Sequence, residues 1–170
     1  MSQFSPALSF LLANEDRLRE YAAVPDVGGC AIAGINSASF PADYAKIVRI
    51  IPNSARASAV AEFYQSKFWT PMNLGGLDSQ DLANRVLDEG VNAGAKTAIN
   101  LLQRAVNALR VPLEVDGQMG PITLSVVNGC DPEAILAAFR QQRLQRYREI
   151  VVAKPEDARY LPEWEKRALR

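Results

Sequence analysis

Apolar side chains recur at helical spacing along most of this chain, and the one stretch where that spacing fails is rich in glycine. Ser5-Pro6 predicts a helix start, because serine caps free amides and a first-turn proline gives up an amide that has no partner. Ala7, Leu8, Leu11 and Leu12 then share a face, and Glu15 falls near the helix end. Residues 22 to 40, AAVPDVGGCAIAGINSASF, carry Pro25, Gly28, Gly29 and Gly34 and predict turns and short extended pieces. Pro41 reopens a helix through Ile51, Pro52 stops it, and Ser54 to Trp69 sets Val60, Phe63, Tyr64 and Phe68 on overlapping faces.

The rest of the chain reads as helices with marked starts. Asp78 or Ser79 caps a helix through Leu82, Val86, Leu87 and Val91, which Gly94 interrupts. From Thr97 to Leu109, Ile99, Leu101, Leu102 and Val106 make a wide apolar stripe, so this is expected to be the most buried element. Val115-Asp116-Gly117 predicts a tight turn and Gly120-Pro121 a short helix. Asp131-Pro132 starts a long helix that Pro155 ends, leaving Tyr160, Leu161 and Trp164 to dock beyond it. The expected class is therefore mainly α, with a small irregular or β region after the first helix. At 170 residues, with no repeat or long linker, a single domain over 1–170 is expected.

Composition narrows the chemistry. Nineteen basic residues against nineteen acidic ones leave no net field, so nucleic acid is not an expected partner. No window reaches the roughly 20 apolar residues that span a bilayer, so no membrane insertion is expected. The opening MSQFSPALSFLLANEDR lacks the basic start of a secretory signal, so synthesis in the cytoplasm is expected. Histidine is absent, which removes Ser-His-Asp and Cys-His nucleophiles and the commonest zinc ligand. Acid and base work falls to carboxylates, with lysine and tyrosine as lesser candidates. Cys30 and Cys130 are too few for a disulfide framework and are expected to be small buried hydrophobes.

Among nineteen acidic residues Glu15 is the best candidate, because a helix holds its backbone while the glycine-rich turn folds over it. Asp26 lies in that turn, and two such carboxyls suit glycosidic cleavage: one protonates the leaving oxygen, the other attacks or activates water. A solvated surface charge is the alternative for any single glutamate. Tyr64 and Trp69, with Phe63 and Phe68, suit either a sugar face or a core. Asn92 and Gln103 are polar beside apolar stripes, placed to bond a ligand or a neighbouring helix. The run RQQRLQRYRE from Arg140 to Glu149 reads as a solvated helix face.

Several motifs occur in one order: FYQSKFW at 63–69, LANRVLDEGVNAG at 82–94, AINLLQRAVN at 98–107, VDGQMGPIT at 115–123, FRQQRLQRY at 139–147 and WEKR at 164–167. In this the chain resembles glycoside hydrolase family 108, bacterial and phage N-acetylmuramidases with a C-terminal predicted peptidoglycan-binding domain. ALSFLLANE places Glu15 on the family's catalytic glutamate, Asp26-Val27-Gly28-Gly29 matches D-P-G-G, and Gly34-Ile35-Asn36 matches G-I-T. The resemblance implies a lysozyme-like domain, with a catalytic-glutamate half at 1–62 and a peptidoglycan-binding-like helical half at 63–170. It implies Glu15 as proton donor and Asp26 as an electrostatic or water-positioning partner, in a reaction that requires no metal and no cofactor; the expected substrate contacts are Asn36, Tyr64, Trp69, Asn92 and Gln103.

The implied partner is the peptidoglycan glycan strand, met in the periplasm or at the wall after delivery by a holin, a secretion system or cell lysis. Asp16 and Arg17 replace two family glycines, and Cys30-Ala31-Ile32 stands where A-T-N is usual. These departures leave a second expectation open: a degenerate member that binds the wall or a protein partner without cutting it. The sequence sets no oligomeric state.

Overall fold

The structure, a computed structural model, describes Met1–Arg170 and is a mainly α, lysozyme-like fold with eight α-helices and one small antiparallel sheet. Its contacts gather into two compact units, Gln3–Pro71 and Met72–Arg170 together with Met1–Ser2. The segment FYQSKFW, grouped by sequence with the later half, lies in the first unit. No single helix is long and apolar enough to cross a membrane.

In the first unit, α1 spans Phe4–Glu15 and buries Ala7, Leu11 and Leu12. It begins one residue before the expected serine cap, from an extended Gln3 that makes no side-chain cap. Pro6 falls among the first-turn positions whose amides lack helical acceptors, so it costs no bond. The sheet follows, as β1 (Ala23–Asp26), β2 (Gly29–Ile32) and β3 (Ile35–Asn36) in the order β1-β2-β3. The register pairs Asp26 with Gly29 and Ile32 with Ile35, so each hairpin turns in two residues. Ile32 and Ile35 carry the buried face.

Helix α2 (Pro41–Val48) stops short of the expected Ile51. Buried Arg56 explains how the chain leaves it: its guanidinium donates to the carbonyls of Val48 (2.9 Å), Ile50 (3.0 Å) and Tyr21 (2.7 Å). The expected helix from Ser54 to Trp69 is a tight 3₁₀ turn at Asn53–Arg56, then α3 (Ala57–Tyr64), then a wide π turn at Gln65–Trp69. Phe40, Phe63, Tyr64 and Phe68 form edge-on and tilted ring contacts in the core.

In the second unit, α4 (Gln80–Ala93) starts at Ser79, whose Oγ accepts from the Leu82 amide. Gly94, at φ +91°, separates it from α5 (Ala95–Ala108). The short α6 (Pro121–Gly129) leads to α7 (Pro132–Ala153), capped by Asp131 Oδ1 on the Ala134 amide (2.8 Å). After a 3₁₀ turn, α8 (Leu161–Leu169) docks on α7, with Trp164 stacked at 5.4 Å on Tyr147. Nine residues of α4 are buried against seven of α5, so α4 rather than α5 is the most enclosed element. The excess is polar, a class an apolar stripe does not register.

That polar excess is an ionic cluster. Arg143 on α7 bonds Asp88 Oδ2 and Glu89 Oε2, each at 2.7 Å, and all three side chains are essentially unexposed. Arg167 on α8 reaches Asp88 Oδ1 at 2.8 Å, and Tyr147 donates to Glu89 Oε2 at 3.3 Å. The expectation of a wholly solvated Arg140–Glu149 face is thus corrected at Arg143, which turns inward to neutralise two carboxylates. Burial works against the Arg143 charge, but Asp88 and Glu89 outweigh it and hold the guanidinium above the ordinary arginine range. Burial and then Glu89 push the Tyr147 phenol up.

Replacing Arg143 by Ala removes the one cation that bonds both buried carboxylates, leaving Asp88 to Arg167 and Glu89 to the more distant Arg146, and urea denaturation is expected to show a loss of about 3–5 kcal/mol. The raised Tyr147 phenol contributes stability that is complete below its unfolded value near 10 and drains as pH rises through the folded value. Tyr147→Phe removes that drain, so thermal melts of the variant should fall less steeply from about pH 9 to about pH 11 than those of the parent.

Candidate active site

Glu15 is the last residue of α1, half-buried, where the chain leaves the helix for the sheet. The next residue secures the exit: Asp16 accepts from the amides of Glu20 (3.2 Å) and Tyr21 (2.9 Å). Its carboxylate therefore organises the loop. Arg19 points back along α1 to the Ser9 carbonyl at 2.8 Å.

The β2–β3 hairpin brings the chain over Glu15. Its two turn residues, Ala33 at φ +49° and Gly34 at φ +82°, both take the left-handed conformation that a tight two-residue hairpin favours. A Cβ at Gly34 would lie 2.7 Å from Glu15 Oε2 and 2.9 Å from the Tyr64 hydroxyl oxygen. The glycine is thus required twice, by its backbone angle and by the two polar groups that each press against its α-carbon. Tyr64, at the end of α3 and 1% exposed, donates to the Ala33 carbonyl at 2.6 Å and so anchors the same turn.

Two residues on, Asn36 closes the sheet around Asp26. Its Nδ2 donates to Asp26 Oδ2 (2.8 Å) and the Val27 carbonyl (3.1 Å), while its Oδ1 accepts from the Ala38 and Ser39 amides. Asp26 also accepts from the Val27 amide at 2.7 Å and is exposed at the tip of the first hairpin. Gly34-Ile35-Asn36 therefore links the two candidate carboxylates: its first residue abuts Glu15 and its third holds Asp26. Both amide ends of Asn36 are occupied by protein, so it orients Asp26.

The remaining sequence candidates have structural partners. Trp69 is 7% exposed and packs on Phe4, with ring centroids 5.7 Å apart, so its ring is core rather than an open sugar platform. Gln103 is fully buried: its Nε2 donates to Asp116 Oδ1 (2.7 Å), the Gln118 carbonyl and Thr123 Oγ1, and its Oε1 accepts from the Gly117 amide. It holds the Asp116–Gly120 turn together, and that bond, with one from the Gln118 amide, keeps the Asp116 carboxyl below its usual range. Asn92 is exposed at the end of the ionic cluster and donates to Tyr147 Oη at 2.9 Å.

Cys30 is exposed, not buried as expected, because it lies on the outer part of β2. Cys130 is half-buried, and that burial pushes its thiol up. No three His, Cys, Asp or Glu side chains gather where they could hold a metal ion. Sequence reasoning missed Tyr64 as the anchor of the Gly34 turn; a tyrosine ending an apolar helix face is no different, as a pattern, from one filling a core.

Comparison with known proteins follows the same division of the chain. Residues 8–94 match Glycosyl hydrolase 108, and residues 97–169 match the Predicted Peptidoglycan domain. The two matches meet at the Gly94 break between α4 and α5. No curated protein matches the chain. Among solved structures, that of Brucella abortus SagA is similar, with a TM-score of 0.64 and 21% identity, covering 98% of this chain and 93% of that one; this likeness shows a shared fold. With Glu15, Asp26 and the Gly34 turn all inside the matched residues, the chain belongs to the glycosyl hydrolase 108 family and is by family a peptidoglycan-related glycoside hydrolase.

Proposed function

We propose that this protein is an N-acetylmuramidase that cuts the glycan strand of peptidoglycan between N-acetylmuramic acid and N-acetylglucosamine. The observation that carries the reading is the close approach of both the Glu15 carboxyl and the Tyr64 hydroxyl to the bare α-carbon of Gly34. A carboxyl held by a helix on one side and a hairpin turn on the other is pre-positioned to hand its proton to the departing glycosidic oxygen. Asp26, steadied by Asn36, is the second carboxylate, supplying negative charge opposite the oxocarbenium-like transition state or orienting water.

Tyr64 acts through the turn it anchors. The reaction draws on these carboxyls alone, with no cofactor. The substrate lies outside the cytoplasm, so the protein would act in the periplasm or at the wall after export, holin-assisted release or lysis.

A second reading, a wall-binding member that does not cut, has its own support. Ala31 and Ile32 are buried and apolar where the family carries polar residues, and the Asp16 carboxylate is spent on backbone amides.

Purified protein incubated with peptidoglycan is expected to generate new reducing ends, and Glu15→Gln should lower the rate by about 10²- to 10⁴-fold. Equal, negligible release from both proteins, together with sedimentation on the wall, would sink the muramidase reading in favour of the binding one. Gly34→Ala forces a methyl group against both the Glu15 carboxyl and the Tyr64 hydroxyl at a left-handed angle. A stability loss of about 1–2 kcal/mol in denaturant titrations is expected from the backbone alone, with reducing-end release falling further than the folded fraction.

A further inference from the structure

Between α5 and α7 lies a groove of about 280 Å³, wholly within the residues that match the Predicted Peptidoglycan domain. Buried Leu101 gives it one apolar patch. The neutral polar lining side chains are Thr97 and Asn100 from α5 and Gln142 and Gln145 from α7, and Gln145 donates to Glu149 Oε1 at 2.8 Å, leaving Oε2 for a ligand. Arg104 on α5 and Arg146 on α7 bring two cations to it, and Glu149 is its one carboxylate.

The two arginines are held differently. Arg104 is exposed and forms no salt bridge. Arg146 is 26% exposed; its guanidinium stands 3.6 Å from Glu89 Oε1 and over the Tyr147 ring at 5.6 Å. Behind the groove two carboxylates, Asp88 and Glu89, face three guanidinium groups, those of Arg143, Arg146 and Arg167. One positive charge is therefore left over; Arg143 is buried and Arg167 does not line the groove, so of the three only Arg146 presents charge there. Arg146 carries positive charge to the groove already braced from behind, which lowers the entropy cost of binding an anion.

We infer that this groove binds a short carboxylate-bearing peptide, of the stem-peptide class that projects from peptidoglycan glycan. Arg104 and Arg146 take carboxylates, Asn100 and Gln142 take backbone amides, and Glu149 takes a free ammonium group. Glycan whose lactyl carboxyls are amidated by stem peptides offers only hydroxyls and acetamides, which give two guanidiniums no charge-assisted partner. The inference rests on the peptidoglycan reading above and adds that the helical half recognises peptide rather than sugar.

The test titrates the full chain by calorimetry with a synthetic stem tetrapeptide containing D-glutamate and diaminopimelate, and in parallel with N-acetylglucosamine oligomers. A third arm measures sedimentation of the same protein with intact sacculi. Wild type is expected to bind the tetrapeptide more weakly as salt rises. Arg104→Ala should weaken that binding about tenfold, the scale of one charge-assisted contact, with an unchanged melting profile. Arg146→Gln, checked for folding by the same melt, should weaken it at least as much.

Sedimentation with sacculi but no heat from the tetrapeptide would overturn the inference and leave the peptidoglycan reading standing. Tetrapeptide binding that neither variant weakens, or oligosaccharide binding of equal strength, would overturn it as well. Failure to sediment, with no tetrapeptide binding, would overturn the inference, and the peptidoglycan reading falls with it only if reducing-end release is absent as well.

Discussion

Two adjacent buried carboxylates on one helix can exist only if cations are delivered to them, and much of the second unit is arranged around that delivery. Asp88 and Glu89 sit on successive residues of α4, and Arg143 bonds both through different nitrogens. Arg167 brings α8 to the same place, with Trp164 stacked on the tyrosine that donates to Glu89. Removing any one charge would leave others in a medium that solvates them poorly, so α4, α7 and α8 are constrained to one arrangement. The groove on the far side of Arg146 inherits its geometry from that constraint.

In the first unit the governing constraint is a close approach. Gly34 carries no side chain, so the hairpin can pass within contact distance of Glu15 and Tyr64, and its positive φ turns the chain toward Asn36 and hence Asp26. Tyr64 ties the preceding residue's carbonyl to α3. A helix end, a two-residue turn and, through the phenol of Tyr64, a second helix end thus converge near one carboxyl. Rigid elements rather than loop side chains hold the candidate acid, a good basis for pre-organised proton transfer.

Both units show one polar group serving as structure and as candidate chemistry. Asn36 orients a carboxylate by spending all its own bonding capacity. Arg146 balances a buried anion while lining an open groove. Gln103, in contrast, is wholly consumed by the Asp116–Gly120 turn and has nothing left for a ligand. What separates them is whether the side chain keeps a free face after the fold has been satisfied.

The order of helices, their proline and serine or aspartate starts, the turn-rich region after the first helix and the glutamate at its end were all legible in the chain, because they follow from local periodicity, capping and φ preferences. The family was legible too, since its motifs keep their order. The inward turn of Arg143, the burial of Trp69, the exposure of Cys30 and the approach of Gly34 to both Glu15 and Tyr64 were not. Each depends on which face of an element meets which neighbour, and a linear pattern of charge or aromaticity is the same whether the side chain is solvated or enclosed. Sequence alone determined the elements and the candidate acid; tertiary structure decided which polar groups are buried and paired, because desolvation and hydrogen bonding act between residues distant in the chain.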